Sequence, residues 1–247
     1  MTTFSIGWDV GAWISKKGDA LWILDAELNT YGKPQHGNWG ADIQKAGTAG
    51  EFLGSCFKRC ETDLPTDTSA VTLAIDAPLA FPAGFVRLLA GECAEQEPLG
   101  KAIDNPYLFR KTEVFAAMAR KRNPLSPLQD QIGSQATKIA HVLAKFGLKN
   151  NGDGVWQTVG DGGLRIDVIE AYPAMCKESL NGPVLPGPLK KQFDTITAKL
   201  APATGDERDA LICALIAHLH RHERDKLHAP TQAHYLPEEG WIWFPKG

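Results

Sequence analysis

The sequence predicts an α/β fold in which one mixed β-sheet is flanked by helices, with a helical insertion after the central strand. Two observations lead to this prediction. Segments with the two-residue alternation of strands recur along the chain, and segments with apolar residues at helical spacing separate them. Strands that alternate with helices favour a sheet with helices on its faces. We expect residues 1–247 to form a single domain, with the insertion at about residues 80–150.

The individual elements follow from local patterns. Alternation over residues 4–10 and an apolar run over residues 20–26, separated by Gly18-Asp19, predict an N-terminal hairpin. Residues 43–60 are predicted as a helix, and an apolar strand from Val71 is stopped by Pro78. Later patterns predict helices over residues 135–146, 189–200 and 206–221, strands over residues 155–159 and 164–169 joined by a hairpin turn, and an aromatic tail (residues 240–244) that packs back on the sheet or helices.

Composition narrows the class of protein. The chain has 247 residues, 43% of them hydrophobic, and a formal net charge of -3, so its overall charge does not attract polyanions. A nucleic-acid substrate would need a local basic patch or bound cations. No apolar run approaches a membrane span, and the five scattered cysteines fit reduced thiols better than a zinc site. We therefore expect a cytoplasmic protein that is not embedded in a membrane.

Three predicted strands end in a carboxylate. They are the segments that end at Asp9, Asp76 and Glu170, and a small residue or chain breaker follows each one. Strands joined by helical crossovers are normally parallel, so their carboxyl ends share the edge of the sheet where ligands bind. A lone acid after a strand is more often a turn residue or a helix cap, so the hypothesis depends on the three side chains converging.

Converging carboxylates indicate a metal site. Acids held close together repel one another, and Mg²⁺ or Mn²⁺ relieves the repulsion while leaving positions for water and phosphate. Asp206 and Asp209, in the first turn of the last long helix, share a face and extend the set. Asp206 is equally suited to be a helix N-cap or a metal ligand, whereas Asp209 is better explained as a metal ligand. The predicted metal ligands are Asp9, Asp76, Asp206 and Asp209.

The ordered set of motifs GWDVG, AIDAPLAFP, YLFRKTE, IEAYPA, GDERDALICALIA and EGWIWFP, from Gly7 to Pro245, resembles the DUF429 family. That family is described as predicted nucleases with a ribonuclease H-like fold. The resemblance implies a ribonuclease H-like sheet in which Asp9, Asp76, Glu170 and Asp209 hold metal. Its activity is itself inferred from the fold, so it supports the fold more strongly than the function.

The resemblance also directs attention to basic residues. Arg110 and Lys111 are candidates to hold phosphate, and Glu113 is either a further ligand or a partner that orients Arg110; the alternative is a solvated helix start with surface ion pairs. Arg120, Lys121 and Arg122 form a basic triplet that is a candidate contact for a nucleic-acid backbone, although such triplets usually mark only a soluble helix end.

Three functions remain open. The first is an Mg²⁺- or Mn²⁺-dependent nuclease of DNA or RNA, in which Glu170 would ligate metal or activate water. The second is a nucleotide-binding protein of the actin and sugar-kinase group, which also begins with an Asp-x-Gly turn like Asp9-Val10-Gly11. The chain is short for that duplicated architecture, and residues 160–163 favour a hairpin turn over a phosphate loop. The third is a non-catalytic adaptor that retains the fold. The oligomeric state is not predicted.

Overall fold

The computed structural model describes residues 2–14, 18–93, 100–121, 124–179, 182–183, 185 and 187–246. Its strands are β1 (Thr2–Asp9), β2 (Asp19–Leu24), β3 (Gln35–Gly37), β4 (Thr68–Asp76), β5 (Lys149–Asn150), β6 (Trp156–Val159), β7 (Arg165–Ala171), β8 (Lys177–Ser179), β9 (Gly182–Pro183) and β10 (Ile242–Trp243). Its α-helices are α1 (Gly40–Lys45), α2 (Ala49–Arg59), α3 (Ala83–Leu89), α4 (Lys111–Arg120), α5 (Gly133–Lys145), α6 (Gly187–Lys199) and α7 (Gly205–His222). Among these residues, no helix is both long and apolar enough to cross a membrane.

The centre of the molecule is an eight-stranded mixed sheet in the order β3-β2-β1-β4-β7-β6-β5, with β10 paired to β7. Strand β1 is antiparallel to β2 and parallel to β4, and β4 is parallel to β7. Strand β10 also runs parallel to β7, at its last two residues. The carboxyl ends of β1, β4 and β7 therefore lie at one edge of the sheet, as the sequence predicts.

Helices cover both faces of the sheet. On one face, Ile6, Leu73 and Val168 pack in a buried cluster with side chains of α2 and α5. On the other face, Ala74 and Ile169 pack in a second cluster with α7, whose residues 210–217 are all buried. The α/β prediction of a mixed sheet flanked by helices is confirmed. The aromatic tail packs on the sheet, where Trp241 and Trp243 are fully buried.

The predicted helix over residues 43–60 is wrong as a single element. It is two helices, α1 and α2, separated by Ala46, Gly47 and Thr48. Thr48 is extended and its side chain accepts a hydrogen bond from the Glu51 backbone N–H, while the Glu51 carboxylate accepts one from Gly47 N–H. This reciprocal cap starts a new helix, and the Thr-x-x-Glu pattern that encodes it is present in the sequence.

The segment between β4 and β5 carries α3, α4 and α5. The apolar stripe predicted for residues 135–146 lies on α5, where Ile139, Val142 and Leu143 are buried against the sheet. Residues 160–163 connect antiparallel β6 and β7, which confirms the predicted hairpin turn. The insertion and α5 are thereby placed beside the carboxyl edge of the sheet.

Candidate metal and phosphoester site

Asp9 and Asp76 lie side by side at the carboxyl edge of the sheet. They are the last residues of β1 and β4, and they are register partners in the parallel ladder. Because side chains alternate between faces along a strand, Asp9 shares its face with Gly7, and Asp76 shares its face with Ala74. This is the face that α7 covers.

Gly7 brings α7 to the two carboxylates. A Cβ atom at position 7 would lie 1.8 Å from the Ala210 carbonyl oxygen and 2.4 Å from the Ala214 backbone nitrogen, so only glycine fits. The helix backbone therefore rests directly on the strand backbone. Asp209, adjacent to Ala210, is carried to the same edge as Asp9.

The electrostatics show that these acids form one cluster. Burial, as the largest cause, and the negative charges of Asp76, Asp209, Asp206 and Asp19 together raise the pKa of Asp9 to about 9. The charged groups with the largest effect on this pKa are thus all acids. Such a cluster favours either a bound proton or a cation.

Asp206 has a different local role from the one predicted. Thr204, rather than Asp206, is the N-cap of α7, because its side chain accepts the Glu207 backbone N–H. The N-cap interpretation of Asp206 is therefore wrong. Its Oδ2 lies 2.9 Å from His36 Nε2 on β3, which places Asp206 at the outer side of the cluster.

Glu170 reaches the same edge of the sheet but the other face. Its register partner on β4 is Ile75, one residue before Asp76, so strand alternation directs it away from Asp9 and Asp76. The buried carboxylate accepts hydrogen bonds from the Leu79 backbone N–H and from two nitrogens of Arg110, at 2.6 to 2.9 Å. Glu170 therefore holds Arg110.

Arg110 is fully buried and all five of its guanidinium N–H groups are used. Its Nε and Nη2 donate to Glu113 Oε1, Nη1 and Nη2 donate to the two oxygens of Glu170, and Nη1 also donates to the Glu239 carbonyl oxygen. The carboxylates raise the pKa of Arg110 above its ordinary value, against the effect of burial. The prediction that Arg110 grips a phosphate is wrong for this arrangement, because no donor remains.

Glu113 orients Arg110, which was one of its two predicted roles. It also accepts the Arg110 backbone N–H, so it caps α4 at the same time. Burial raises the pKa of Glu113 to about 7, although Arg110 lowers it. The alternative of a solvated helix start with surface pairs is wrong, since both side chains are fully buried.

Sequence reasoning missed Glu239. Its buried carboxylate accepts the Ala83 N–H at the start of α3 and the Lys111 N–H at the start of α4. The side chain of Lys111 is exposed and lines a separate cavity of about 470 Å³ together with Arg87. Lys111 is therefore not placed to hold a phosphate beside Asp9, contrary to the prediction.

Arg120, the first residue of the basic triplet, binds the C-terminal segment. Arg120 donates to the Pro245 carbonyl oxygen and stacks over Phe244, with 5.7 Å between its guanidinium carbon and the ring centre. Lys121 is exposed and ends α4 in a left-handed conformation. Arg122 lies outside the described residues. The interpretation of the triplet as a phosphate contact stays a prediction for Arg122 and Lys121.

A second missed pair, Asp19 and Lys138, lies beneath the Asp9 turn. Lys138 Nζ on α5 donates to both oxygens of Asp19, at 2.6 and 2.8 Å, and to the Gly11 carbonyl oxygen at 3.3 Å. Asp19 also accepts the Gly11 backbone N–H and the Trp8 indole N–H. Both side chains are fully buried. This ion pair fixes the backbone that follows Asp9.

The strand ends line a cavity of about 160 Å³. Asp9, Asp76, Arg110, Glu113 and Glu170 form its charged lining. Its apolar lining comes from the insertion, from Tyr172 and from Ile242 of β10. The cavity combines a strongly acidic side with an apolar rim.

The chemistry of this oxygen-only donor set fits a hard divalent cation, since Asp9, Asp76 and Asp209 supply carboxylates whose charges repel one another. Within the part of the chain that the structure describes, no three His, Cys, Asp or Glu side chains are gathered closely enough to hold an ion as they stand. Binding one ion would therefore require rotation of these carboxylates about their side-chain bonds.

Comparison with known proteins adds no identity: the chain matches no family model, no curated protein and no solved structure. The resemblance to the DUF429 family stays a prediction. The function is therefore argued from the site alone.

Proposed function

We propose that this protein is a divalent-metal-dependent phosphodiesterase, a nuclease of DNA or RNA with a ribonuclease H-like fold. The observation that supports this most is the pairing of Asp9 with Asp76 in register, with Asp209 brought beside them by the contact of α7 at Gly7. Topology agrees with the proposal, because a hairpin strand, a parallel pair and a terminal helix supply the acids from separate parts of the chain.

In this proposal, Asp9, Asp76 and Asp209 hold Mg²⁺ or Mn²⁺, and Asp206 with His36 forms the outer boundary of the site. The ion supplies charge neutralisation and an activated water for hydrolysis. Glu170 takes a changed role, because its oxygens are bound to Arg110 and the Leu79 backbone. Together with Glu113 it holds Arg110 in place as part of the cavity lining.

The nucleotide-binding alternative receives less support. Its later glycine-rich phosphate loop would have to come from residues 160–163, which form a tight connection between two antiparallel strands. The non-catalytic adaptor differs from the proposal by one measurable property, which is the affinity of the carboxylates for a divalent ion.

The test measures Mn²⁺-dependent hydrolysis of bis(p-nitrophenyl) phosphate and of oligonucleotides by the wild type and by Asp9→Asn. We expect the substitution to reduce the rate about 100-fold or more, since even changes to outer partners of a metal site cost roughly 10- to 100-fold. Asp161→Asn, at an exposed turn, is the matched control and should retain the wild-type rate. Hydrolysis by Asp9→Asn at the wild-type rate would rule out the assignment.

A structural measurement complements the kinetics. Crystals soaked with Mn²⁺ should show an anomalous peak between Asp9, Asp76 and Asp209, and none in Asp9→Asn. A wild-type crystal that shows no peak at saturating Mn²⁺ would favour the adaptor.

A further inference from the structure

We propose that the acidic cavity admits a single nucleic-acid strand and excludes a duplex. This inference rests on the proposed function and narrows its substrate class. Three features of the described residues carry it: the size of the cavity, the bridge across its rim, and the placement of the basic side chains.

The first feature is size. The cavity of about 160 Å³ is smaller than the roughly 300–1,000 Å³ of sites that enclose a drug-sized ligand. It accommodates a phosphate and part of the neighbouring sugar. Asp9 and Asp76 line the cavity, so in the proposed function the scissile phosphate lies against this lining, and a cavity of this volume leaves no room for the paired strand of a duplex.

The second feature is a bridge across the rim. The Leu125 backbone N–H of the insertion donates to the Tyr172 hydroxyl beyond the end of β7, at 3.3 Å. Pro124, Leu125 and Ile132 of the insertion line the cavity together with Tyr172 and Ile242. An apolar and aromatic rim is suited to the faces of unpaired bases, which stack on such side chains. In a duplex these faces are covered by neighbouring base pairs.

The third feature is charge. Binding to a duplex depends on cations that track its phosphates. Of the described candidates, Arg110 has no remaining donor, Lys111 lines the separate cavity, and Arg120 is bound to the Pro245 carbonyl oxygen. These three side chains are therefore not available to hold the phosphates of a second strand, whereas a bound divalent ion and base stacking would hold one strand.

The experiment uses the full chain with Mn²⁺ and three substrates: bis(p-nitrophenyl) phosphate, a fluorescent single-stranded oligonucleotide, and the same oligonucleotide annealed to its complement. We expect the single strand to be cleaved about tenfold faster than the duplex or more, the size of effect that one base stack produces. Equal or faster cleavage of the duplex would overturn the inference and leave the proposed function intact.

Failure of the proposed function has a separate signature, which is the absence of hydrolysis of all three substrates. In that case, fluorescence anisotropy in Ca²⁺ still compares binding of the two oligonucleotides. Stronger binding of the duplex would contradict the inference, and weaker binding would support it, independently of catalysis.

Leu125→Ala tests the rim directly. Removing this side chain widens the cavity, so the ratio of single-strand to duplex cleavage should fall, whatever the change in the rate for each substrate. Met118→Ala, an exposed position on α4 outside the cavity lining, is the control and should keep the wild-type ratio. An unchanged ratio in Leu125→Ala would show that the rim does not select the strand.

Discussion

Two clusters of acidic side chains lie at the carboxyl edge of the sheet, one on each face, and they differ in the partners of their carboxylates. On one face, Glu113 and Glu170 enclose Arg110, whose five donors are shared between them and the Glu239 carbonyl oxygen. On the other face, Asp9 lies among carboxylates, and burial together with the charges of these acids raises its pKa. The clusters share one cavity.

This difference separates structure from function. A buried charge without a partner costs several kcal/mol, so the cluster around Arg110, in which every guanidinium N–H meets an oxygen, is a structural part of the fold. The acids around Asp9 differ, because burial and their negative charges raise the pKa of Asp9 and so favour a bound proton or a cation. A carboxylate whose pKa is shifted in this way, and which lies in a cavity, is typical of a functional site. The following predictions test the contrast.

The largest expected effect comes from Arg110→Met. It leaves Glu113 and Glu170 buried without their cation, which should lower the free energy of unfolding by about 3–5 kcal/mol, measured by urea denaturation. Arg59→Met is the control, because the ion pair of Arg59 with Asp42 is partly exposed and should cost about 1 kcal/mol or less. Equal losses of the free energy of unfolding in the two variants would show that the cluster around Arg110 does not stabilise the fold.

The next effect concerns the pair beneath the Asp9 turn. Lys138→Met leaves Asp19 buried without its cation and should cost about 3 kcal/mol in the same denaturation assay. The double variant Asp19→Asn with Lys138→Met removes both charges and should recover part of that loss. A double variant no more stable than Lys138→Met would argue against charge as the cause.

The last effect is a gain in stability whose size depends on the pH. The pKa of Asp9 is about 9 when folded and 3.8 ordinarily, so the folded protein holds the extra proton between these values. The stability due to this proton is complete below about pH 4 and is lost as the pH rises through 9. Asp9→Asn should therefore gain on the wild type between pH 5 and pH 9, by about 2–4 °C in Tm per kcal/mol.

The control for this prediction is Mn²⁺. The ion should raise the Tm of the wild type more than that of Asp9→Asn, because the variant lacks one of the three carboxylates proposed to bind it. A difference in Tm between the two proteins that does not vary with pH would show that Asp9 does not take up a proton on folding.

Much of the site could be predicted because it depends on strand ends. Asp9 and Asp76 each follow an apolar strand, and parallel pairing places such residues at one edge. The face that each acid occupies could not be predicted, since it depends on the register between strands. Glu170 is one residue out of step with Asp76, and this offset turns it toward Arg110.

The missed partners are far apart in the sequence. Arg110 and Glu170 are 60 residues apart, and Lys138 and Asp19 are 119 apart, so local patterns carry no sign of either pair. The helix starts were a different case. Thr48 and Thr204 each precede a Glu by three residues, so the capping pattern is present in the sequence, although the prediction of one helix over residues 43–60 and the N-cap interpretation of Asp206 overlooked it.

The contact at Gly7 leaves almost no room for a change in the spacing between β1 and α7 at the acidic site. With no side chain between β1 and α7, the spacing from Asp9 to the helix is set by two backbones in direct contact, which do not change rotamer or repack. An alanine at this position would add only one methyl group and no charge. It would nevertheless displace α7 from β1. This displacement would move Asp209 and alter the site without changing any of its ligands.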